Sequence, residues 1–260
     1  MNRYTISPEI SARLYREPFK TLPELRMKNK RALFIDILLV CLSVLLTMGA
    51  TQSSTLPEGF VYADQVIPDL KIDIRYATKH NFVGTPIDGY LHPECILTDK
   101  AAQALKEVQD ELRPFGLSLK VFDGYRPQRA VDHFVRWAKD VHDIRKKREF
   151  YPEVNKENLF KQDYIAAKSS HSRGSAVDLT LTSRAAMLTD PNLDMGSGFD
   201  LFDPKSWPTS LNVSVEARAN RMLLQLLMKK HGFEPYPQEW WHFTFKNEPF
   251  LDTYFDFPVQ

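Results

Sequence analysis

An α+β fold is predicted: a single domain with a central antiparallel sheet flanked by helices, behind an N-terminal hydrophobic export segment. Two observations carry this. Short stretches with a period of two and longer amphipathic stretches with a helical period are interspersed along the chain. They lack the regular strand–helix–strand rhythm of a parallel α/β sheet, which favours an antiparallel arrangement. No internal repeat or low-complexity segment interrupts the pattern.

Residues 32–48 form an apolar run broken only by Asp36 and a few small polar residues, preceded by Lys28, Lys30 and Arg31. The run is short for a membrane span, which needs about 20 residues. A basic flank, an apolar centre and the small-residue exit Gly49-Ala50-Thr51 read as an export signal, with Met27 as an alternative start. The other reading is an uncleaved anchor that holds the following domain outside the membrane. The division expected is therefore 1–50 for the extension and signal and 51–260 for the folded domain.

Residues 71–76 give the first strand signal, with Ile72, Ile74 and Tyr76 alternating with charged residues. Thr98 or Asp99 can cap a helix whose Ala101, Leu105, Val108 and Leu112 share one face, ended by Pro114 and Gly116. Residues 117–122 are the next strand and run into Asp123-Gly124-Tyr125-Arg126-Pro127. Pro127 suits the first turn of a helix carrying Val131, Phe134, Val135 and Ala138. Arg126, held extended by that proline, reads on spacing alone as a surface ion-pair partner. Residues 145–163 are charged and poorly periodic, which predicts a surface excursion. A strand at 176–181 follows, and then a long Gly/Pro/Asp-rich loop at 190–208. Loops of that length in compact domains are often functional. Ala219, Met222, Leu223, Leu226 and Leu227 mark an amphipathic helix with these residues as its core face, closed by Gly232. Last, Trp241, Phe243 and Phe245 alternate with His242 and Thr244 on a strand.

Charge narrows the function classes. Residues 1–31 hold eight Lys/Arg against three Asp/Glu, whereas 51–260 hold 26 against 29. A mildly acidic body without a dominant basic face gives no reason to expect nucleic-acid binding. Contact with a membrane is expected only through the N-terminal segment. Once that segment is set aside, Cys95 is a lone cysteine with no basic neighbour in sequence, which reads as buried and inert.

The chemistry-bearing stretch is Ser169-Ser170-His171-Ser172-Arg173-Gly174-Ser175-Ala176-Val177-Asp178. Gly174 lets the backbone turn sharply before the strand, so His171 and Asp178 sit at opposite ends of one loop-into-strand unit. An imidazole and a carboxylate suit a borderline-soft divalent cation, above all zinc. A catalytic zinc site needs a third protein ligand and an open position, and His242 supplies the ligand. Glu239, three residues earlier, is tethered beside such a metal without having to bind it, as a general base must be. No Gly-x-Ser-x-Gly elbow and no His-Glu-x-x-His motif is present.

The set S-x-H-x-x-x-x-x-x-D on a glycine turn, followed by E-x-x-H among aromatics, resembles the zinc peptidases that act on D-alanyl peptides of the bacterial cell wall. It is most similar to the D-alanyl-D-alanine dipeptidases of the vancomycin-resistance type, from about Tyr62 to Phe257. The resemblance implies one zinc per chain on His171, Asp178 and His242, Glu239 as base, and hydrolysis of a small D,D-dipeptide to free D-alanine. It implies that Arg126 stabilises the oxyanion of the transition state. It also matches Tyr76, Ser169 and Asp200 to residues that receive the substrate's ammonium, although Asp200 alone reads equally as a loop-capping carboxylate. An exported location, periplasmic or in the cell envelope, fits that role. Two other readings stand beside it: a D,D-carboxypeptidase cutting longer peptidoglycan stems, and a zinc-dependent wall-binding module without catalysis. The base Glu239 argues against the second.

Overall fold

The computed structural model describes residues 56–184 and 192–260; the N-terminal segment read above as an export signal lies outside them, as do residues 185–191, which include the start of the long loop. Along the chain run β1 (Phe60–Tyr62), α1 (Ala63–Val66), β2 (Lys71–Ile72), β3 (Ile96–Thr98), α2 (Asp99–Leu112), β4 (Leu117–Asp123) and α3 (Gln128–Lys139). They are followed by α4 (Lys147–Phe150), β5 (Ala176–Ser183), α5 (Val215–Lys230), β6 (Phe233–Pro235) and β7 (His242–Phe245). The architecture is a mixed α+β domain. No helix among the described residues is long and apolar enough to cross a membrane.

The main sheet has the order β2-β4-β5-β7-β6, and β1 pairs with β3 in a separate two-stranded ladder. Strands β4, β5, β7 and β6 are antiparallel, as expected, but the edge strand β2 is parallel to β4. That edge strand is also shorter than its alternation predicts. Ile74 and Tyr76 are each only 1% exposed, yet the pairing stops once Asp73 N–H reaches Val121 O, and a 3-10 turn takes Arg75–Ala77. A period of two reports which residues face a core. It does not require that the chain keep a partner strand.

Strand β5 is buried along almost its whole length, with β4 on one side and β7 on the other. Its Ala176, Val177, Leu179 and Leu181 are fully buried. Helix α2 packs against β4, and Gln109 locks the pair by accepting from Leu119 N–H at 2.8 Å and donating to Ser118 Oγ at 2.9 Å. Burial pushes the Cys95 thiol well up, so it is inert as expected.

Two expectations fail here. Residues 145–163 are not a surface excursion: Phe150, Tyr151, Val154 and Leu159 are buried, and Lys156 Nζ donates to the Trp137 and Asp140 carbonyls at 2.8 Å each. One helical turn and one 3-10 turn are too short to display a period. Helix α5 also turns a different face inward. Ala217, Arg221, Leu224 and Met228 are buried, whereas Met222 and Leu226 are each 59% exposed and Ala219 is exposed as well. Leu223 and Leu227 lie at the edge of the core.

Candidate active site

Local geometry brings His171 and Asp178 together. Ser169 caps the 3-10 turn Ser170–Arg173 by accepting from His171 N–H. Gly174 leaves that turn at φ +79°, and a Cβ there would fall 2.2 Å from the Phe60 ring. Only glycine fits, because the left-handed backbone and the close aromatic ring both exclude a side chain. Strand β5 then places Asp178 in register with His242 of β7 on one side and Asp123 of β4 on the other. Directly opposed residues share a face of the sheet, so these three side chains stand in a row. The register shifts between Val121 and Asp123, so one residue of β4 is extra. A bulge of this kind re-aims a side chain, and here it sets Asp123, not Phe122, beside Asp178.

Three donor atoms converge. His171 Nε2 and His242 Nδ1 are 3.1 Å apart, His242 Nδ1 and Asp178 Oδ1 3.0 Å, and His171 Nε2 and Asp178 Oδ1 3.3 Å. Ligands at about 2.0–2.2 Å around a tetrahedral zinc would be spaced by roughly 3.3 Å, so the triangle has the right size. The proton on His171 Nδ1 is committed to Gly124 O at 2.7 Å. That bond leaves Nε2 with its lone pair turned to the triangle, the tautomer and orientation a metal ligand needs. These residues are the set of three or more among the described residues that could hold an ion, and they fit zinc.

The surroundings polarise each group differently. Burial raises Asp178, but the charges and hydrogen bonds of the two histidines outweigh it and hold the carboxyl well below its usual range. Glu239 Oε2 stands 3.8 Å from His242 Nδ1. Burial pushes Glu239 up to about 7, Asp178 adds to the rise, and His242 and Arg126 oppose it. Asp200 is raised well above the carboxylate range by burial and then by the charge of Asp178. The Tyr76 hydroxyl lies 3.1 and 3.0 Å from the two Asp200 oxygens. Arg126 lies over the Tyr76 and Phe134 rings, 4.9 and 5.2 Å from their centroids, with Nη2 3.5 Å from Asp178 Oδ2. It is not a surface ion-pair partner.

All eight residues singled out from the sequence (Tyr76, Arg126, Ser169, His171, Asp178, Asp200, Glu239 and His242) line one cavity of about 230 Å³. Sites for drug-sized ligands usually run from about 300 to 1,000 Å³, so this one suits a smaller molecule. Lys168, Tyr164 and Tyr236 also line it and carried no signal in the sequence. Asp123 was missed as well; it gave no sign of facing the site until the bulge in β4 was known.

A small cavity with two imidazoles and a carboxylate around a metal-sized gap, and a second carboxylate beside them, defines a mononuclear metallohydrolase. The chain belongs to the D-ala-D-ala dipeptidase family of M15 peptidases, whose model matches residues 57–260. It is 42% identical over 200 residues to the D-alanyl-D-alanine dipeptidase of Streptomyces coelicolor, covering 77% of this chain and 98% of the relative. The D-alanyl-D-alanine dipeptidase of Enterococcus faecium is 38% identical over 202 residues, 78% and 98% of the two chains. That of Escherichia coli is 33% identical over 178 residues, 68% and 80% of the two. The protein is accordingly an enzyme, a zinc metallopeptidase of this family.

Proposed function

We propose that the protein hydrolyses free D-alanyl-D-alanine to two molecules of D-alanine. The observation that carries this reading is the arrangement of charges around one small cavity. A metal-ligand triangle and a raised carboxylate stand together, and a second, buried carboxylate is paired with a tyrosine. His171, Asp178 and His242 would hold zinc, which supplies Lewis acidity and makes water a nucleophile near neutral pH.

The chain's own groups then have separate tasks. Glu239 takes a proton from the attacking water and passes it to the amide nitrogen as the C–N bond breaks. A carboxyl held near 7 is well matched to both transfers at neutral pH. Arg126 faces the oxygen on which negative charge grows; one such donor is worth about 10²–10³ in rate. Asp200 and Tyr76, with Ser169 on the ligand turn, receive the substrate's ammonium. A buried carboxylate raised by its surroundings is relieved by a cation, so ligand and site offset each other's desolvation. Lys168, stacked over Tyr254 at 4.5 Å, is the cation suited to the carboxylate at the other end.

The deciding measurement is turnover of free D-alanyl-D-alanine against its N-acetyl form and a pentapeptide stem. Preference for the free dipeptide supports the proposal; faster cleavage of the stem would make the enzyme a D,D-carboxypeptidase. Action outside the cytoplasmic membrane follows from the basic-apolar-small pattern around residues 27–51. Mass spectrometry of the native protein should find either a chain beginning near residue 50 or the intact chain in the membrane. Full-length protein in the cytoplasm would contradict both.

A further inference from the structure

Tyr90 does not line the cavity, yet its hydroxyl donates to Asp123 Oδ1 at 2.6 Å. Asp123 is completely buried, and its other oxygen accepts from Arg126, 2.9 Å from both Nε and Nη2. A chain of hydrogen bonds therefore runs from outside the cavity to the guanidinium inside it. Nε and Nη2, the donors of one edge of Arg126, both face Asp123, and the Tyr90 hydroxyl is also within hydrogen-bonding reach of the guanidinium itself. The torsion that rotates an aspartate's carboxylate plane is soft. With only Oδ2 tied to the arginine, that plane could swing and carry the guanidinium with it. Tyr90 holds Oδ1 and so removes the freedom.

The backbone is built to keep Tyr90 in place. Gly89 has φ +89°, and a Cβ there would lie 2.7 Å from Pro127 Cγ and 2.9 Å from Arg129 Cγ and Cδ. The Gly89-Tyr90 turn thus rests directly against the turn that carries Arg126. On its other side it is held by the end of the chain: Val259 N–H donates to Gly89 O at 2.8 Å, and Leu91 N–H donates to Val259 O at 2.9 Å.

We propose that Tyr90 is a positioning residue that sets Arg126 for the reaction through Asp123. The inference rests on the role assigned to Arg126 above. Its test is a kinetic cycle on the zinc-loaded enzyme with D-alanyl-D-alanine: wild type, Tyr90→Phe, Arg126→Ala and the double variant, each checked for metal content and melting temperature. Tyr90→Phe keeps the ring and deletes only the hydroxyl. It should lower kcat by roughly tenfold with KM and bound zinc unchanged, since small misplacements of a transition-state contact act on turnover. The double variant should be no slower than Arg126→Ala alone. A merely structural tyrosine would lower the melting temperature and leave kcat alone, or would slow both backgrounds by the same factor, and either result overturns the proposal. If Arg126→Ala itself turns over like wild type, the assignment of Arg126 fails first and this inference falls with it.

Discussion

Replacing Asp200 by asparagine tests how the enzyme reads the amino end of its substrate. The choice of asparagine follows from the backbone. Asp200 has φ 62°, in the left-handed region, which asparagine tolerates and alanine does not without a cost of about 1–2 kcal/mol. Asparagine also keeps an oxygen for the Tyr76 hydroxyl, which now lies 3.0 and 3.1 Å from the two carboxylate oxygens. One hydroxyl proton satisfies only one of them at a time, so the carboxylate keeps capacity for a second donor. Asp200 is 5% exposed, and water offers little replacement there for a lost charge partner. Leaving a desolvated ammonium opposite a neutral amide costs roughly 2–5 kcal/mol, which corresponds to about 30- to 4,000-fold in kcat/KM. N-acetyl-D-alanyl-D-alanine carries no charge at that end and should lose far less. The assay is kcat/KM for both substrates with wild type and Asp200→Asn, with zinc content and melting temperature as controls. The free-dipeptide preference should shrink by nearly the whole loss. Equal losses on the two substrates would refute the reasoning and make Asp200 a residue of the fold.

Three further outcomes are expected. Glu239→Ala should stay folded and keep its zinc while losing orders of magnitude in turnover; loss of the metal would make Glu239 a ligand and not the base. Chelation should abolish activity and added zinc restore it, while His171→Ala should fail to retain stoichiometric metal; full activity in a metal-free preparation would exclude the zinc mechanism. In urea unfolding of the zinc-loaded protein, Leu224→Ala should cost about 2–5 kcal/mol, whereas Leu226→Gln on the exposed face of α5 should stay within about 0.5 kcal/mol. The reverse order would mean that the helix packs by the other stripe.

The parts of the site legible in the sequence were those carried by local pattern. A glycine turn into an alternating strand placed His171 and Asp178, and the alternation of Trp241, Phe243 and Phe245 turned His242 the opposite way. The parts that were not legible depend on register between strands. Asp123 neighbours Asp178 only because β4 bulges, and Tyr90 reaches Asp123 only because its turn packs on Pro127. Neither fact leaves a trace in the spacing along the chain.

Helix α5 shows a different obstacle, since it carries two apolar stripes of helical period. Ala219, Met222, Leu223, Leu226 and Leu227 form one, and Ala217, Leu224 and Met228 form the other, broken by Arg221. Periodicity favours the first, because an arginine is almost never fully buried unless its charge is matched. Here its donors are satisfied by backbone instead: Arg221 is 1% exposed and donates to the carbonyls of Met195 at 2.7 Å, Lys205 at 3.1 Å and Trp207 at 2.8 Å. Its Nη2 also reaches Ser197 Oγ at 3.3 Å, the same oxygen that takes Trp240 Nε1–H at 2.9 Å. Those carbonyls flank Asp200 on both sides of the loop, and Trp240 follows Glu239. A non-glycine residue persists at positive φ only where its neighbours over-determine it, and the guanidinium ties down the loop at Met195 and Ser197 before Asp200 and at Lys205 and Trp207 after it. The residue that hid the buried face of α5 is therefore also the one that braces the loop presenting Asp200 to the cavity.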